Sequence, residues 1–129
     1  MKANELKVTD LMVGDWCYIK DYPMSAQPMQ VKEEHFVRSL VEFEPIPLTP
    51  EILEKNGFRV EHNIGFYALI GIDDRVELQN DKEYMNSVNE WHVHIDSEDY
   101  CTIASCELTY VHELQHILRL CEIYKEIVV

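Results

Sequence analysis

The sequence is short of cations and glycine and lacks a C-x-x-C pair, and each lack narrows what the chain can be. Only 11 lysines and arginines stand against 24 aspartates and glutamates, a formal charge of −13. A surface of that sign is repelled by nucleic-acid phosphates and by anionic lipid, so neither direct nucleic-acid binding nor membrane attachment is expected. With only four glycines, the chain contains no G-x-x-x-x-G-K-[ST], G-x-G-x-x-G or G-x-S-x-G. The four cysteines are Cys17, Cys101, Cys106 and Cys121; none are spaced C-x-x-C, and the only close pair is C-x4-C. Residues 1–16 hold no apolar leader, so the thiols read as free core residues of a protein in the reducing cytoplasm. No stretch approaches the roughly 18 apolar residues of a membrane span.

What is present is enough for one self-sufficient domain over residues 1–129. A composition 47% hydrophobic and 27% charged is that of a globular chain and not of a disordered one. The first 40 residues read as strands. Val13-Gly14-Asp15 suggests a tight turn before the β-formers Trp16 to Ile19. Asp21 to Pro28 reads as a loop, and Met29 to Lys32 as a half-buried strand pairing back. Glu44 to Pro50 carries alternate prolines, which exclude a central strand and define an extended connector. Thr49 as N-cap, Pro50 at the first helical position and Gly57 as a left-handed stop delimit a helix over 50–56. Strands follow at Gly65 to Ile72, at Arg75 to Leu78 after an Asp73-Asp74 turn, at Trp91 to Asp96 and at Tyr100 to Ala104. Gln79 to Asn89 reads as a polar loop. A second helix is expected over Thr109 to Cys121, with Val111, Leu114, Leu118 and Cys121 on one face. Glu122 to Val129, rich in β-formers, is expected as a closing strand. The pattern predicts an α+β fold: a curved, mostly antiparallel sheet, a partial SH3-like barrel at the N-terminus, and two helices packed on the sheet.

One segment matches a chemical signature. His112-Glu113-Leu114-Gln115-His116 is an H-E-x-x-H, in which two histidines one turn apart bind zinc and the glutamate activates the metal-bound water. The helix argues against that chemistry. At about 100° per residue, the apolar stripe lies roughly opposite the His112/His116 edge, so both histidines are expected to face solvent beside Arg119. Glu122 stands where H-E-x-x-H-x-x-G-x-x-H places its last histidine, Arg119 replaces the glycine, and only 13 residues follow His116. His92 and His94 form an H-x-H that fits a solvated strand face better than a metal pair. Cys101, Cys106, His112 and His116 resemble a zinc-finger set, but five residues between Cys106 and His112 fall short of the usual gap of about 12. No cofactor and no metal site is therefore expected; His112 and His116 would be ligands only under a hydrolase reading.

Three segments, Leu11-Met12-Val13-Gly14-Asp15-Trp16, Pro45 to Phe58 (P-I-P-L-T-P-E-I-L-E-K-N-G-F) and Tyr110-Val111-His112-Glu113-Leu114-Gln115, together resemble a group of small, uncharacterised, prophage-associated proteins of gut anaerobic bacteria. Their order and spacing fit that group across most of the chain. In the group the last motif runs Y-V-H-x-L-Q-x-L, so the resemblance implies that Glu113 and His116 are incidental and that His112 is the matched histidine. The group usually has a glycine-containing turn after Leu120, where this chain has Cys121-Glu122.

The charge points to a partner. Residues 1–64 carry 7 basic and 11 acidic groups, a balance of −4, and residues 65–129 carry 4 and 13, a balance of −9. The leading expectation is a non-enzymatic accessory protein of a phage or mobile element, binding a protein with a basic surface through Asp73, Asp74, Asp81 and Glu83. A zinc hydrolase using His112, Glu113 and His116 is the first alternative. An acidic DNA mimic that occupies a nucleic-acid-binding enzyme is the second.

Overall fold

In a computed structural model, residues 11–21, 26–33, 41–63, 66–80, 90–99 and 101–129 are described. The elements run β1 (Trp16–Asp21), β2 (Gln27–Gln30), β3 (Val41–Pro45), α1 (Pro50–Lys55), β4 (Arg59–Asn63), β5 (Phe66–Gly71), β6 (Val76–Asn80), β7 (Trp91–Asp96), β8 (Thr102–Leu108) and α2 (Val111–Leu120). The class is α+β, as expected. Among the described residues the strands fall into two open antiparallel sheets: three strands in the order β2-β1-β3, and five in the order β4-β5-β6-β7-β8. No helix among the described residues is long and apolar enough to cross a membrane.

Period-2 patterning sets the register of the larger sheet. Trp91, Val93 and Ile95 of β7 are buried, and His92, His94 and Asp96 take the opposite face. Val93 pairs with Leu78 and with Cys106, Leu69 with Leu78, and Ile95 with Val76 and Ala104, so one face of the sheet becomes the core. Leu114 and Leu118 of α2 join that core with Leu53 of α1 and Phe58. Gly71 lets the Phe58 ring approach, since a Cβ there would sit 2.8 Å from it. The Trp91 indole N–H donates to the Leu48 carbonyl at 2.7 Å, which satisfies the one polar atom that the ring buries. The smaller sheet has its own core of Leu11, Cys17, Ile19, Val31 and Phe43.

Local chemistry fixes the ends of the helices. The Thr49 hydroxyl accepts from the Ile52 amide at 3.3 Å, and Gly57 closes α1 at φ +88°. Pro45 ends β3, which is an edge strand, as a residue without an N–H must. Beyond β3, Leu48 donates to Thr109 and Val111 to Ile46, so the proline connector lies antiparallel to the start of α2.

Several expectations need correction. Residues 122–129 form no strand. Ile123 and Ile127 are buried, but Lys125 between them, which a strand would place on the same face, is exposed, so the segment does not alternate as a half-buried strand does. Side chains hold the segment in place of a ladder: the Trp16 indole donates to the Ile127 carbonyl at 2.5 Å, and the Asn56 amide clamps Val128 through its N–H and its C=O, both at 2.8 Å. β2 starts two residues earlier than expected, β8 runs four residues further, and β3 is an added strand whose last two residues, Glu44 and Pro45, fall in the segment read as connector.

Candidate functional site

The junction of α2 with the turn before β1 gathers most of the side chains with chemical potential. Asp15 follows Gly14, whose φ of +94° belongs to a tight turn that brings the Asp15 amide to the Met12 carbonyl at 3.0 Å. The turn aims the Asp15 carboxylate inward, where it is 0% exposed. Three donors converge on it: the Met12 amide at 2.8 Å, His116 Nε2–H at 2.6 Å and the Arg119 guanidinium at 3.0 Å. Gln115, one residue before His116, makes a second tie. Its Oε1 accepts from the Trp16 amide at 2.8 Å, and its Nε2 donates to the Gly14 carbonyl at 3.0 Å. Residues 115, 116 and 119 thus bind one helix edge to β1 by a spacing that only an α-helix presents together.

This geometry overturns the expectation that the His112/His116 edge faces solvent. His112 is 6% exposed, with its ring stacked 6.0 Å from that of Tyr110 and edge-on to that of His116 at 5.6 Å. His116 is half-buried against Asp15. The angular argument places the apolar stripe correctly but assumes one buried face. The stripe packs on the five-stranded sheet, and the opposite edge packs on β1. Asp15 is the residue that sequence reasoning missed. Its one signal was a pair of imidazole and guanidinium groups at i and i+3 on a helix of a strongly acidic chain, which predicts a buried acid nearby.

Glu113 has a structural role as well. Its Oε1 accepts from the amides of Thr109 at 3.0 Å and Tyr110 at 2.9 Å, closing the N-terminus of α2. Among the described residues no group of three or more His, Cys, Asp or Glu side chains is placed to hold a metal ion. Cys101 is exposed ahead of β8, whereas Cys106 is half-buried on its inner side. His92 bonds Ser105 at 3.0 Å, and His94 bonds Thr102 at 3.1 Å and Asp96 at 3.0 Å, all along one face of β7 and β8.

The acidic residues picked for binding divide. Asp73 and Asp74 are exposed at the β5–β6 turn, where Ile72, Asp73 and Asp74 take three successive positive φ values of 53°, 57° and 63°. Asp74 bonds Arg59 of β4 at 2.5 Å, and that hydrogen bond, with the guanidinium charge, holds its carboxyl below the usual carboxylate range. Asp73 is left open to solvent. Asp81 and Glu83 lie outside the described residues. Buried Cys17 shows the opposite effect: desolvation, with the nearby Asp15 charge, pushes its thiol up to about 12. Compared with known protein families, with curated proteins and with solved structures, the chain gives no match.

Proposed function

We propose that this chain is a non-enzymatic accessory protein of a phage or mobile element that works in the cytoplasm by binding a protein with a basic surface. The observation that carries the reading is the occupation of Glu113. In a metallopeptidase the glutamate of H-E-x-x-H must face the metal-bound water, and here its carboxylate caps its own helix. His116 is likewise committed to Asp15. With those side chains engaged in folding, the remaining distinctive property is charge, and residues 65–129 carry most of it. Exposed acids on turns steer a cationic partner into contact without rearranging the fold.

The experiment captures the partner on the immobilised chain, identifies it, and follows its association rate against salt. A basic partner is expected, with association slowed about tenfold or more between low and physiological salt. Reversing Asp73, Asp74, Asp81 and Glu83 to lysine should slow association and leave the fold intact, at a small stability cost from the lost Arg59–Asp74 pair. An acidic partner, or an association rate indifferent to salt, overturns the proposal. So does near-stoichiometric zinc in the purified protein that is lost in His116→Ala, which would favour the hydrolase.

A further inference from the structure

We infer that His94, Asp96 and Thr102 form one face of a binding site for a divalent transition-metal ion of the zinc class, on the outer surface of the five-stranded sheet. The site goes beyond the partner binding proposed above and uses neither the β5–β6 turn nor the H-E-x-x-H segment. It originates in an irregularity of the ladder. β7 and β8 pair regularly from Trp91 with Leu108 to Ile95 with Ala104, and then the register shifts so that Asp96 pairs with Thr102. Ile103 is the extra residue of this bulge. In an unbroken ladder Ile103 would stand opposite Asp96, on the face that His92, His94 and Asp96 share. The bulge brings the Thr102 hydroxyl there instead.

Three ligand atoms meet as a result. His94 Nε2 lies 3.0 Å from Asp96 Oδ1 and 3.1 Å from Thr102 Oγ1, and the two oxygens are 3.4 Å apart. One imidazole proton and one hydroxyl proton serve these three contacts, so hydrogen bonding alone leaves the triangle under-satisfied. A cation touching all three atoms removes that deficit. With ligand bonds of about 2.1 Å, neighbouring ligands stand about 3.0 Å apart around an octahedral ion and about 3.4 Å apart around a tetrahedral one. The three observed spacings span that range. Imidazole nitrogen beside carboxylate and hydroxyl oxygen suits zinc and its first-row neighbours, whereas calcium and magnesium take oxygen alone. The side chains of His94 and Asp96 are 38% and 23% exposed, so water can complete the shell. The surrounding charge favours a cation. Residues 90–108 hold five acids, Glu90, Asp96, Glu98, Asp99 and Glu107, and neither lysine nor arginine. Glu77 of β6 pairs with His94 from the other side. Arg75 donates Nε to the Asp96 main-chain carbonyl at 2.9 Å but makes no ion pair with the carboxylate. Setting Arg75 against Glu77, Asp96, Glu98 and Asp99 still leaves this end of the sheet negative.

The test is a calorimetric titration of the full, reduced chain with zinc chloride, with the imidazole nitrogens of His94 followed by nitrogen-15 NMR. A saturable shift of His94 Nε2 is expected, with a dissociation constant of about 1–100 μM. His94→Ala should abolish binding. Asp96→Asn should weaken it about tenfold or more and Thr102→Ala about threefold or more, since each removes one ligand atom. None of the three side chains lies in the core, so the variants should keep the parent fold. His116→Ala and Cys101→Ser should bind zinc at His94 as the parent does, which separates this site from the H-E-x-x-H segment and from the exposed thiol beside Thr102. Magnesium chloride at the same concentrations should leave His94 unshifted. The inference fails if His94 shows no saturable shift up to about 1 mM zinc, or if either Asp96→Asn or Thr102→Ala binds as tightly as the parent. It also fails if magnesium shifts His94 equally, or if binding survives His94→Ala and is lost in His116→Ala or Cys101→Ser.

Discussion

Removing the Asp15 carboxylate tests whether α2 is tethered to β1 as the geometry requires. Asp15→Ala strips the acceptor from three donors, the Met12 amide, His116 and Arg119. Breaking one side of a buried charged pair costs about 3–5 kcal/mol. The partner side chains here are 28% and 33% exposed, so they rehydrate in part. The Met12 amide has less freedom to do so, and the loss should sit near the low end, about 3 kcal/mol. For a chain of 129 residues that corresponds to a fall in Tm of roughly 10 °C. Asp15→Asn keeps the shape and one acceptor oxygen, and should cost about half as much. The assay is urea unfolding followed by the fluorescence of Trp16 and Trp91, with the m-value required to stay constant. Combining Asp15→Asn with His116→Gln should show a coupling of at least about 1 kcal/mol. A cost for Asp15→Ala below about 1 kcal/mol, or additive effects in the cycle, would refute the tether.

The other consequences need less derivation. Leu114→Ala should cost about 2–5 kcal/mol, since it opens a cavity under the five-stranded sheet; His112→Ala should cost about 1–3 kcal/mol because the ring is buried, and a value near zero in denaturant unfolding would return that edge to solvent. The Cys17 thiol stays protonated in the folded chain to about pH 12 but ionises near 8.5 once unfolded, so stability is unaffected below that lower value and falls by about 1.4 kcal/mol per pH unit as pH rises between the two. Cys17→Ala should flatten that slope without abolishing it, because burial also raises the thiols of Cys106 and Cys121, and a native thiol titration at pH 8 should modify exposed Cys101 well before Cys17. Glu113→Gln retains a capping oxygen and should stay within about 0.5 kcal/mol of the parent, whereas Glu113→Ala should lose about 1 kcal/mol; equal losses in thermal unfolding would mean that the cap contributes nothing.

Elements whose information is local were legible in the sequence. β7 was readable to the residue because Trp91, Val93 and Ile95 alternate without interruption. α1 was readable because Thr49, Pro50 and Gly57 each do something that only a helix end requires. The illegible parts depend on what lies opposite. β3 holds its place by pairing with β1, through Phe43 against Ile19 and Glu44 against Tyr18, which no local pattern reveals. Residues 122–129 have strand composition, yet their position is decided by the Trp16 indole, 111 residues earlier, and by Asn56, 72 residues earlier. Of the candidate contact residues, Asp73 and Asp74 fell on an exposed turn as their polarity indicated, while the Arg59–Asp74 bond was invisible because β4 and that turn meet only in the folded sheet.

The H-E-x-x-H segment shows why spacing alone does not carry chemistry. Residues at i and i+4 project from one side of a helix, whatever the task. If that side faces a cleft, two imidazoles can share a metal. Here it faces the β1 turn, and the same projection delivers His116 to Asp15, while Gln115 beside it spans from the Gly14 carbonyl to the Trp16 amide. The glutamate follows the same logic: one turn from the start of the helix, it finds the unpaired amides of Thr109 and Tyr110 nearer than any water that a metal would hold. A buried aspartate stripped of its donors would be costly to retain, so the histidine and arginine on that edge are accounted for by folding. Among the described residues, exposed Asp73 on the β5–β6 turn and exposed Tyr124 and Lys125 after α2 carry no such task. Selection for binding can act on those positions without disturbing the layers beneath them.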